Sequence, residues 1–257
     1  MASDLYKKNT YLNRNIVSLF GRRITEYDIK SAGFNIIKHF EFLPEEVISS
    51  IEKLDRHSRH VVIGKLEKND RELAENLKKG FRACRKKFFD ENDVIDSDIL
   101  SIKKDAIFII DKVLSNLEFD NIIFVPKNEY NAYMYLNKKE FYINDSICDC
   151  KGIKDEKLEP HKDFMLDIIK EFAKLQINAG KDKQLKFIKE VAVAYRNREL
   201  EMGYYRELNV ESLYRPKSTI MIMNNSMGFN EFEMDLKYLD ISYNYTHYII
   251  PMYQMLL

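Results

Sequence analysis

The segment that most constrains the fold is residues 98–110, DILSIKKDAIFII. Two apolar runs rich in β-branched residues stand on either side of Lys103 and Lys104. Such runs, separated by a short polar break, are typical of two antiparallel strands joined by a tight turn. Similar runs predict further strands at residues 16–20, 22–29, 121–126, 132–136, 140–145 and 148–153.

Helical periodicity dominates much of the remaining chain. Apolar residues at steps of three and four predict a helical stretch over residues 59–89, with a break near Gly64. A second helical region begins near Pro160, and Gly180 ends its first helix. Other helices are predicted at residues 31–40, 44–54 and 112–117, whereas residues 217–257 have the pattern of strands. The order of elements predicts an α+β fold.

Charge and cysteine content narrow the class of protein. Lys and Arg together number 41, as do Asp and Glu, so any surface that binds nucleic acid must be local. Three cysteines are too few for a disulfide framework, which favours reduced thiols in a cytoplasmic protein. The sequence shows neither an apolar signal core nor the roughly 18 apolar residues of a membrane span, so no membrane partner is expected.

Two aspartates occupy matching positions at the edges of predicted strands. Asp28 lies in ITEYDIKSAG and Asp105 lies in LSIKKDAIF. If both strands belong to one antiparallel sheet, the two carboxylates can share one face at its edge. Oxygen ligands of this kind suit Mg²⁺ or Mn²⁺. Two such ions about 4 Å apart could activate a 3′-hydroxyl and stabilise a leaving pyrophosphate.

These two segments resemble motifs A and C of palm-domain nucleic-acid polymerases, family B DNA polymerases above all. Motif A has the form D-x-x-S-x-Y, and this chain has Asp28, Ser31 and Gly33 at the three defined positions. Motif C has the form Y-G-D-T-D-S, and Asp105 matches its second aspartate. The resemblance continues in the Lys138-Lys139 pair and in Lys151-Gly152, which are similar to the K-K-x-Y and K-G segments of the family.

The resemblance implies a palm-like antiparallel sheet flanked by helices. Residues 1–160 would form this core, with reduced fingers at about 41–97. Residues 161–215 would form a helical thumb-like region, and the strand-rich segment 216–257 would pack on the core. The small size indicates a viral or mobile-element product acting in the cytoplasm of a host cell.

The same resemblance assigns roles to individual residues. Asp28 and Asp105 would be the catalytic residues and the ligands of Mg²⁺ or Mn²⁺. The uninterrupted basic run KKGFRACRKK at residues 78–87 would neutralise the triphosphate. Partners would be nucleic acid, nucleoside triphosphates and other replication or transcription proteins. The implied nucleotide-binding residues are Ser31, Gly33, Phe34, Lys78, Arg82 and Arg85, and the implied nucleic-acid contacts are Lys138, Lys139 and Lys151.

The chain departs from the family pattern at three points. Lys103 replaces the first aspartate of motif C, and Gly33 replaces the tyrosine that blocks a ribose 2′-hydroxyl, unless Phe34 supplies that block. The fingers motif K-x-x-x-N-S-x-Y-G is not recognisable. Two alternatives to a polymerase therefore stay open. One is a metal-dependent nuclease that also uses Asp96 or Asp98, and the other is a non-catalytic nucleic-acid-binding protein with a degenerate palm.

Each candidate residue also has an ordinary structural interpretation. Asp28 could cap a helix, and Asp105 could be a polar turn residue. The basic run at residues 78–87 could be a solvated helix face, and Lys138 and Lys139 could serve only the turn. The structure of the chain decides between several of these interpretations.

Overall fold

A computed structural model describes residues 2–153, 157–205, 207–208 and 243–257. Contacts divide the chain into two compact units. Unit 1 comprises Met1–Ile16 and Arg22–Tyr130, and unit 2 comprises Val17–Gly21 and Asn131–Leu257. The functional division at residues 160 and 215 stays a prediction.

Unit 1 contains the predicted hairpin and the strands that pair with it. Its strands are β1 (Thr10–Leu12), β2 (Ser18–Ile29, from Arg22 onward), β3 (Ile99–Lys103), β4 (Ala106–Ile110), β5 (Glu118–Phe119) and β6 (Ile122–Leu136, as far as Tyr130). The spatial order is β1-β3-β4-β2-β6, and β5 pairs with β6. The pairs β1–β3, β3–β4, β4–β2 and β5–β6 are antiparallel. β2 and β6 are each one continuous strand where two shorter strands were predicted.

Four helices of unit 1 are α1 (Ala32–His39), α2 (Glu45–Glu52), α3 (Arg56–Asn69) and α4 (Arg71–Glu91). The predicted break at Gly64 is wrong, because α3 runs through it and ends where Asp70 begins the next helix. The Asp70 carboxylate accepts the N–H of Leu73 at 3.0 Å and so caps the start of α4. One cap residue therefore replaces the expected glycine as the helix boundary.

The core of unit 1 lies between one sheet face and these helices. Side chains alternate along β2, so Tyr27 and Ile29 enter this core while Glu26 and Asp28 point to the opposite face. The predicted apolar stripe of α4 is buried here and consists of Leu73, Leu77, Phe81, Cys84 and Phe88. A Cβ on Gly80 would lie 2.4 Å from Ile36 Cγ2, so a glycine is needed where α4 meets α1.

The helix predicted at residues 112–117 is wrong. This segment forms a loop held by side-chain acceptors from elsewhere in unit 1. Asn92 Oδ1 accepts the N–H groups of Ser115 and Asn116 at 3.2 and 3.0 Å, and the Tyr27 hydroxyl accepts that of Leu114 at 3.1 Å. These bonds satisfy the backbone without a helix.

Unit 2 combines a sheet with helices. Its strands are the last part of β6, β7 (Lys139–Ile143) and β8 (Cys148–Lys151), and residue Val17 pairs with Tyr135 of β6. Its helical elements are a π-helical segment Phe164–Lys170, α5 (Glu171–Asn178), α6 (Lys181–Asn197), a second π-helical segment Tyr245–Ile249 and α7 (Ile250–Gln254). Cys148 and Cys150 are both buried in the core of this unit.

The strand-like prediction for residues 217–257 fails where the structure describes them. Residues 217–242 lie outside the described part of the chain, and residues 245–254 are helical. Tyr248, Met252 and Leu256 are buried at steps of four, which is the spacing of a helix face. The α+β class with an antiparallel sheet and flanking helices is nevertheless confirmed. Within the described residues, none of the helices has the length and apolar character required to cross a membrane.

Candidate functional site

The structure brings Asp28 and Asp105 together in unit 1. Asp28 is the residue of β2 that faces Ala106 of β4 in the antiparallel register. Asp105 directly precedes Ala106, in the turn that joins β3 to β4. The two carboxylates are close enough for Asp105 to raise the pKa of Asp28. The hairpin and the register between β2 and β4 therefore produce the juxtaposition predicted from the sequence.

Asp28 has an unusual environment for a carboxylate. Its side chain is 26% exposed, yet the Oδ1 atom is buried and has no hydrogen-bond partner among the described residues. Burial raises the pKa of Asp28, and the charges of Asp105 and Glu26 act in the same direction. Lys127 opposes this effect, because its Nζ lies 3.7 Å from Asp28 Oδ2. Asp28 thus has one buried carboxylate oxygen that no described residue bonds, and a second oxygen that faces the Lys127 ammonium.

Glu26 is a third acidic residue of this site and lies on the same face of β2 as Asp28. It is 2% exposed, and its carboxylate accepts hydrogen bonds from Asn128 Nδ2 at 2.8 Å and from the Tyr130 hydroxyl at 3.1 Å. Lys127 Nζ lies 3.8 Å from Glu26 Oε1. The sequence interpretation missed both Glu26 and Lys127. The spacing of Glu26 and Asp28 by two residues on a strand was a usable signal, whereas nothing in the sequence aligned Lys127 with them.

The turn that carries Asp105 is held at several points. Lys104 has a φ of +56°, a conformation that residues other than glycine rarely adopt. Its N–H donates to the carbonyl of Asn9 at 2.9 Å, and Arg85 donates to its carbonyl. The Lys104 ammonium lies 3.2 Å from Glu67 Oε1 and 5.4 Å from the centre of the Phe81 ring. Asp105 therefore projects from a well-braced turn.

The two carboxylates are of the ligand type that hard divalent cations prefer. Mg²⁺ is commonly held by one or two carboxylates together with substrate phosphates and water. Asp28 and Asp105 supply two carboxylates, and the unpaired Asp28 Oδ1 is the kind of atom that such an ion satisfies. Across the described ranges, no group of three or more His, Cys, Asp or Glu side chains could hold a metal. Side chains alone therefore do not complete a coordination shell here.

Three of the predicted nucleotide-binding residues line one small cavity. Ser31 precedes α1 with a φ of +48°, and in the described part of the chain its side chain makes no capping bond. The cavity measures about 20 Å³, which is room for one water molecule or one phosphate oxygen. Its lining residues are Ser31, Gly33, Phe34, Arg56, Arg59, His60 and Ile63.

The basic residues of this cavity come from α3. The Arg59 guanidinium lies 5.3 Å from the centre of the Phe34 ring. Its Nε is buried, and no described residue provides it with a hydrogen-bond partner. The sequence interpretation missed Arg56, Arg59 and His60, although the string RHSRH at residues 56–60 was visible. The sequence interpretation relied instead on the longer basic run on α4.

The structure gives Gly33 and Phe34 packing roles, and their part in the choice of sugar stays a prediction. Phe34 is 4% exposed and packs in the core of unit 1, and it also lines the cavity beside Ser31. A Cβ on Gly33 would lie 3.2 Å from Ile63 Cγ2, so the absence of a side chain allows α1 to approach α3. Packing therefore explains both residues without reference to the choice between ribose and deoxyribose.

The predicted triphosphate-binding face of α4 is also corrected. Arg85 is fully buried, and its guanidinium donates to the main-chain carbonyls of Tyr6, Lys8 and Lys104. It is a structural residue and cannot contact a substrate. Lys78 is half-buried and forms an ion pair with Glu75 at 2.7 Å, and Arg82 donates to Asn9 Oδ1 at 3.3 Å. Neither of these two residues belongs to the lining of the cavity beside Ser31.

The predicted nucleic-acid contacts lie in unit 2. Lys138 is exposed in the turn between β6 and β7, where Asn137 and Lys138 have φ values of +45° and +63°. Lys139 is 7% exposed, and its ammonium lies 5.9 Å from the centre of the Tyr248 ring. Burial lowers the pKa of Lys139. Lys139 is therefore a packing residue, whereas Lys138 and the half-buried Lys151 stay predictions as backbone contacts.

Comparisons with known proteins identify the family. A family model described as "Bacteriophage PBS1 gene 130 protein" matches residues 1–257, and the chain belongs to this family. The match confirms the viral origin that the sequence indicated. Searches of curated proteins and of solved structures returned no match.

Proposed function

We propose that this member of the bacteriophage PBS1 gene 130 protein family is a divalent-cation-dependent nucleotidyltransferase of the polymerase type, acting in the infected host cell. The observation that carries the proposal is the juxtaposition of Asp28 and Asp105, with Asp28 Oδ1 buried and lacking a partner among the described residues. An unpaired buried carboxylate oxygen is costly unless a ligand uses it. Strand-edge aspartates in this arrangement also match the motif order of palm-domain polymerases.

Asp28 and Asp105 would hold Mg²⁺ or Mn²⁺ in this function. A cation bound there would supply Lewis-acid activation of a 3′-hydroxyl and charge neutralisation for a leaving pyrophosphate. In the reaction, the 3′-hydroxyl would lose its proton to solvent and its oxygen would bond to the α-phosphorus of a nucleoside triphosphate. The bond from that phosphorus to the bridging oxygen would break, and pyrophosphate would leave. The carboxylates would orient this exchange because Asp28 lies on β2, in register with Ala106 of β4, and Asp105 lies in the turn directly before Ala106.

Positive charge for the triphosphate would come from α3. Arg56, Arg59 and His60 lie beside the first residues of α1, whose N-terminal N–H groups also favour anions. This set replaces the predicted set on α4, where Arg85 is buried. The exposed Lys138 is the best remaining candidate for a contact with primer or template. Other replication or transcription proteins are further proposed partners.

One specific observation favours a non-catalytic alternative. Lys127 Nζ lies 3.7 Å from Asp28 and 3.8 Å from Glu26, so the lysine ammonium already offsets part of the acidic charge. Together with Lys103 in place of an aspartate, this arrangement fits a nucleic-acid-binding accessory protein with a degenerate palm.

The nuclease alternative has no comparable support. Asp98 pairs with Lys112 at 3.1 Å and accepts the N–H of Ile95, while Asp96 accepts a hydrogen bond from the Ser3 hydroxyl. Both carboxylates are thus engaged in local structure.

A nucleotide-incorporation assay tests the proposal. The protein is incubated with labelled ribo- or deoxyribonucleoside triphosphates, Mg²⁺ or Mn²⁺, and primed or unprimed templates. Asp105→Ala is compared with the matched control Asp111→Ala, whose carboxylate pairs with Arg22 at the other end of β4. Extension by the wild type and the control, but not by Asp105→Ala, supports the proposal. Absence of extension under all conditions, with nucleic-acid binding unchanged in Asp28→Ala and Asp105→Ala, favours the accessory protein.

A further inference from the structure

We propose that Arg85 is a positioning residue that fixes the turn bearing Asp105, and that residues 6–9 belong to the same support. The inference rests on the proposed function, because it concerns how the cation-binding pair is held in place. It also gives a role to a fully buried arginine whose predicted contact with a triphosphate is excluded.

Arg85 connects α4 to the N-terminal segment and to the turn between β3 and β4 through its guanidinium. Nε donates to the carbonyl of Tyr6 at 3.2 Å, Nη2 donates to the carbonyl of Lys8 at 2.9 Å, and Nη1 donates to the carbonyl of Lys104. Lys104 directly precedes Asp105 in the chain. Because the guanidinium is planar and its donors are fixed relative to one another, the three carbonyls are held in one arrangement.

The N-terminal segment also contacts the turn directly. The carbonyl of Asn9 accepts the N–H of Lys104 at 2.9 Å, and Thr10 faces Lys103 in the register of β1 with β3. Lys104 therefore has both its main-chain N–H and its main-chain carbonyl bonded within the same assembly. A turn residue with a φ of +56° needs such support to keep its conformation.

The buried guanidinium of Arg85 places a positive charge next to the turn that carries Asp105. Burial lowers the pKa of Arg85 to about 10, with a smaller contribution from Arg82 in the same direction, so the guanidinium stays charged at neutral pH. The charge of Asp105 acts on Arg85 in the opposite direction. Arg85 thus supports the Asp105 segment by main-chain hydrogen bonds and by charge, without contacting substrate.

Cation binding provides the first test. Mn²⁺ is titrated into the wild type, Arg85→Lys and Arg85→Met, and free Mn²⁺ is followed by electron paramagnetic resonance. Loss of a supporting group beyond the metal ligands typically weakens affinity by about 10- to 100-fold. Arg85→Met should show a loss of this size and Arg85→Lys a smaller one. Lys79→Met, which removes an exposed lysine elsewhere on α4, should stay within about twofold of the wild type. Equal affinity in wild type and both Arg85 variants would overturn the inference while leaving the proposed function standing.

Hydrogen exchange provides a second test that does not depend on the cation. Amide exchange of residues 103–106 is measured in Arg85→Lys, which keeps the charge and so limits damage to the fold, and is compared with exchange in the α4 core. Faster exchange confined to the turn supports the inference, and unchanged exchange there overturns it. If the wild type fails to bind Mn²⁺, the proposed function fails, and the exchange result still decides whether Arg85 positions the turn.

Discussion

Asp105, in the turn between β3 and β4, raises the pKa of Asp28 on the neighbouring strand β2. Burial of Asp28 is the larger cause, and the ammonium of Lys127 acts in the opposite direction. Ionisation of Asp28 is therefore unfavourable in the folded protein, and a proton or a cation can relieve this cost. This relationship is the basis of the first two predictions.

Asp28→Asn should stabilise the fold at neutral pH while abolishing activity. The folded-state pKa of Asp28 lies above the ordinary value, so ionisation costs stability as the pH rises. A neutral amide avoids this cost, and a gain of about 0.5–2 kcal/mol is typical when a functional residue is relaxed in this way.

The gain should depend on pH. Below the ordinary pKa of aspartate, the carboxyl is protonated in both the folded and the unfolded state, and the gain should vanish. Thermal unfolding without divalent cations, measured from about pH 3 to pH 8, checks the trend. Asp111→Asn is the control, because its exposed carboxylate pairs with Arg22. A pH-independent difference between Asp28→Asn and the wild type would contradict the prediction.

Lys127→Met should strengthen cation binding at the pair. The substitution removes a positive charge 3.7 Å from Asp28 Oδ2 while retaining a side chain of similar length. Because Lys127 is half-exposed, solvent weakens the effect, and a gain of roughly threefold to tenfold in Mn²⁺ affinity is expected. Calorimetric titration measures it, with Lys112→Met as a control for loss of a lysine elsewhere in unit 1. Under the accessory-protein alternative, neither the wild type nor Lys127→Met binds Mn²⁺.

Arg59→Met should weaken nucleotide binding, whereas Lys78→Met should not. Arg59 lines the cavity beside Ser31, and its Nε is buried without a partner in the described structure. A charge-assisted hydrogen bond to phosphate contributes about 1.5–3 kcal/mol, so the loss should be at least about tenfold. Lys78 lies outside this cavity and is already paired with Glu75. Equilibrium binding of a fluorescent nucleoside triphosphate distinguishes the two variants. The reverse order of effects would restore the original assignment to α4.

Two glycine substitutions should change stability in opposite directions. A Cβ at position 80 would lie 2.4 Å from Ile36 Cγ2 and 3.1 Å from a ring carbon of Phe42, so Gly80→Ala should destabilise the protein by about 1–3 kcal/mol. Gly64 lies inside α3, and no described atom lies within 4 Å of a Cβ built there. Gly64→Ala should therefore stabilise by about 0.5–1 kcal/mol. Denaturant unfolding measures both values.

The sequence predicts the sheet of unit 1 well because strand register follows the apolar pattern. A shift of one residue would bury Glu26 and Asp28 in the helix-covered core and expose Tyr27, so only one register is stable. That register determines where Asp28 and Asp105 meet. Their juxtaposition was predictable for this physical reason, independently of any resemblance.

Other features depend on tertiary partners that periodicity does not specify. Arg85 lies in a basic run, and only its position four residues after Phe81 and three before Phe88 indicated that it borders a buried stripe. The loop at residues 112–117 is fixed by Asn92, which lies far away in the sequence. The distance from Lys127 to Asp28 likewise follows from the pairing of β6 with β2. The local sequence pattern does not specify the hydrogen-bond partners of Arg85, the contact of Asn92 with the loop, or the proximity of Lys127 to Asp28.

The burial of the cysteines has a practical consequence for spectroscopy. Cys84, Cys148 and Cys150 are the three thiols of the sequence, and burial raises the pKa of each, to about 12 for Cys84 and Cys150. Maleimides react with thiolates, so native thiols of this kind are poor targets at neutral pH. A cysteine introduced at the exposed position of Lys138 would accept a fluorophore or spin label selectively. The wild-type background can thus be labelled without first removing its own cysteines.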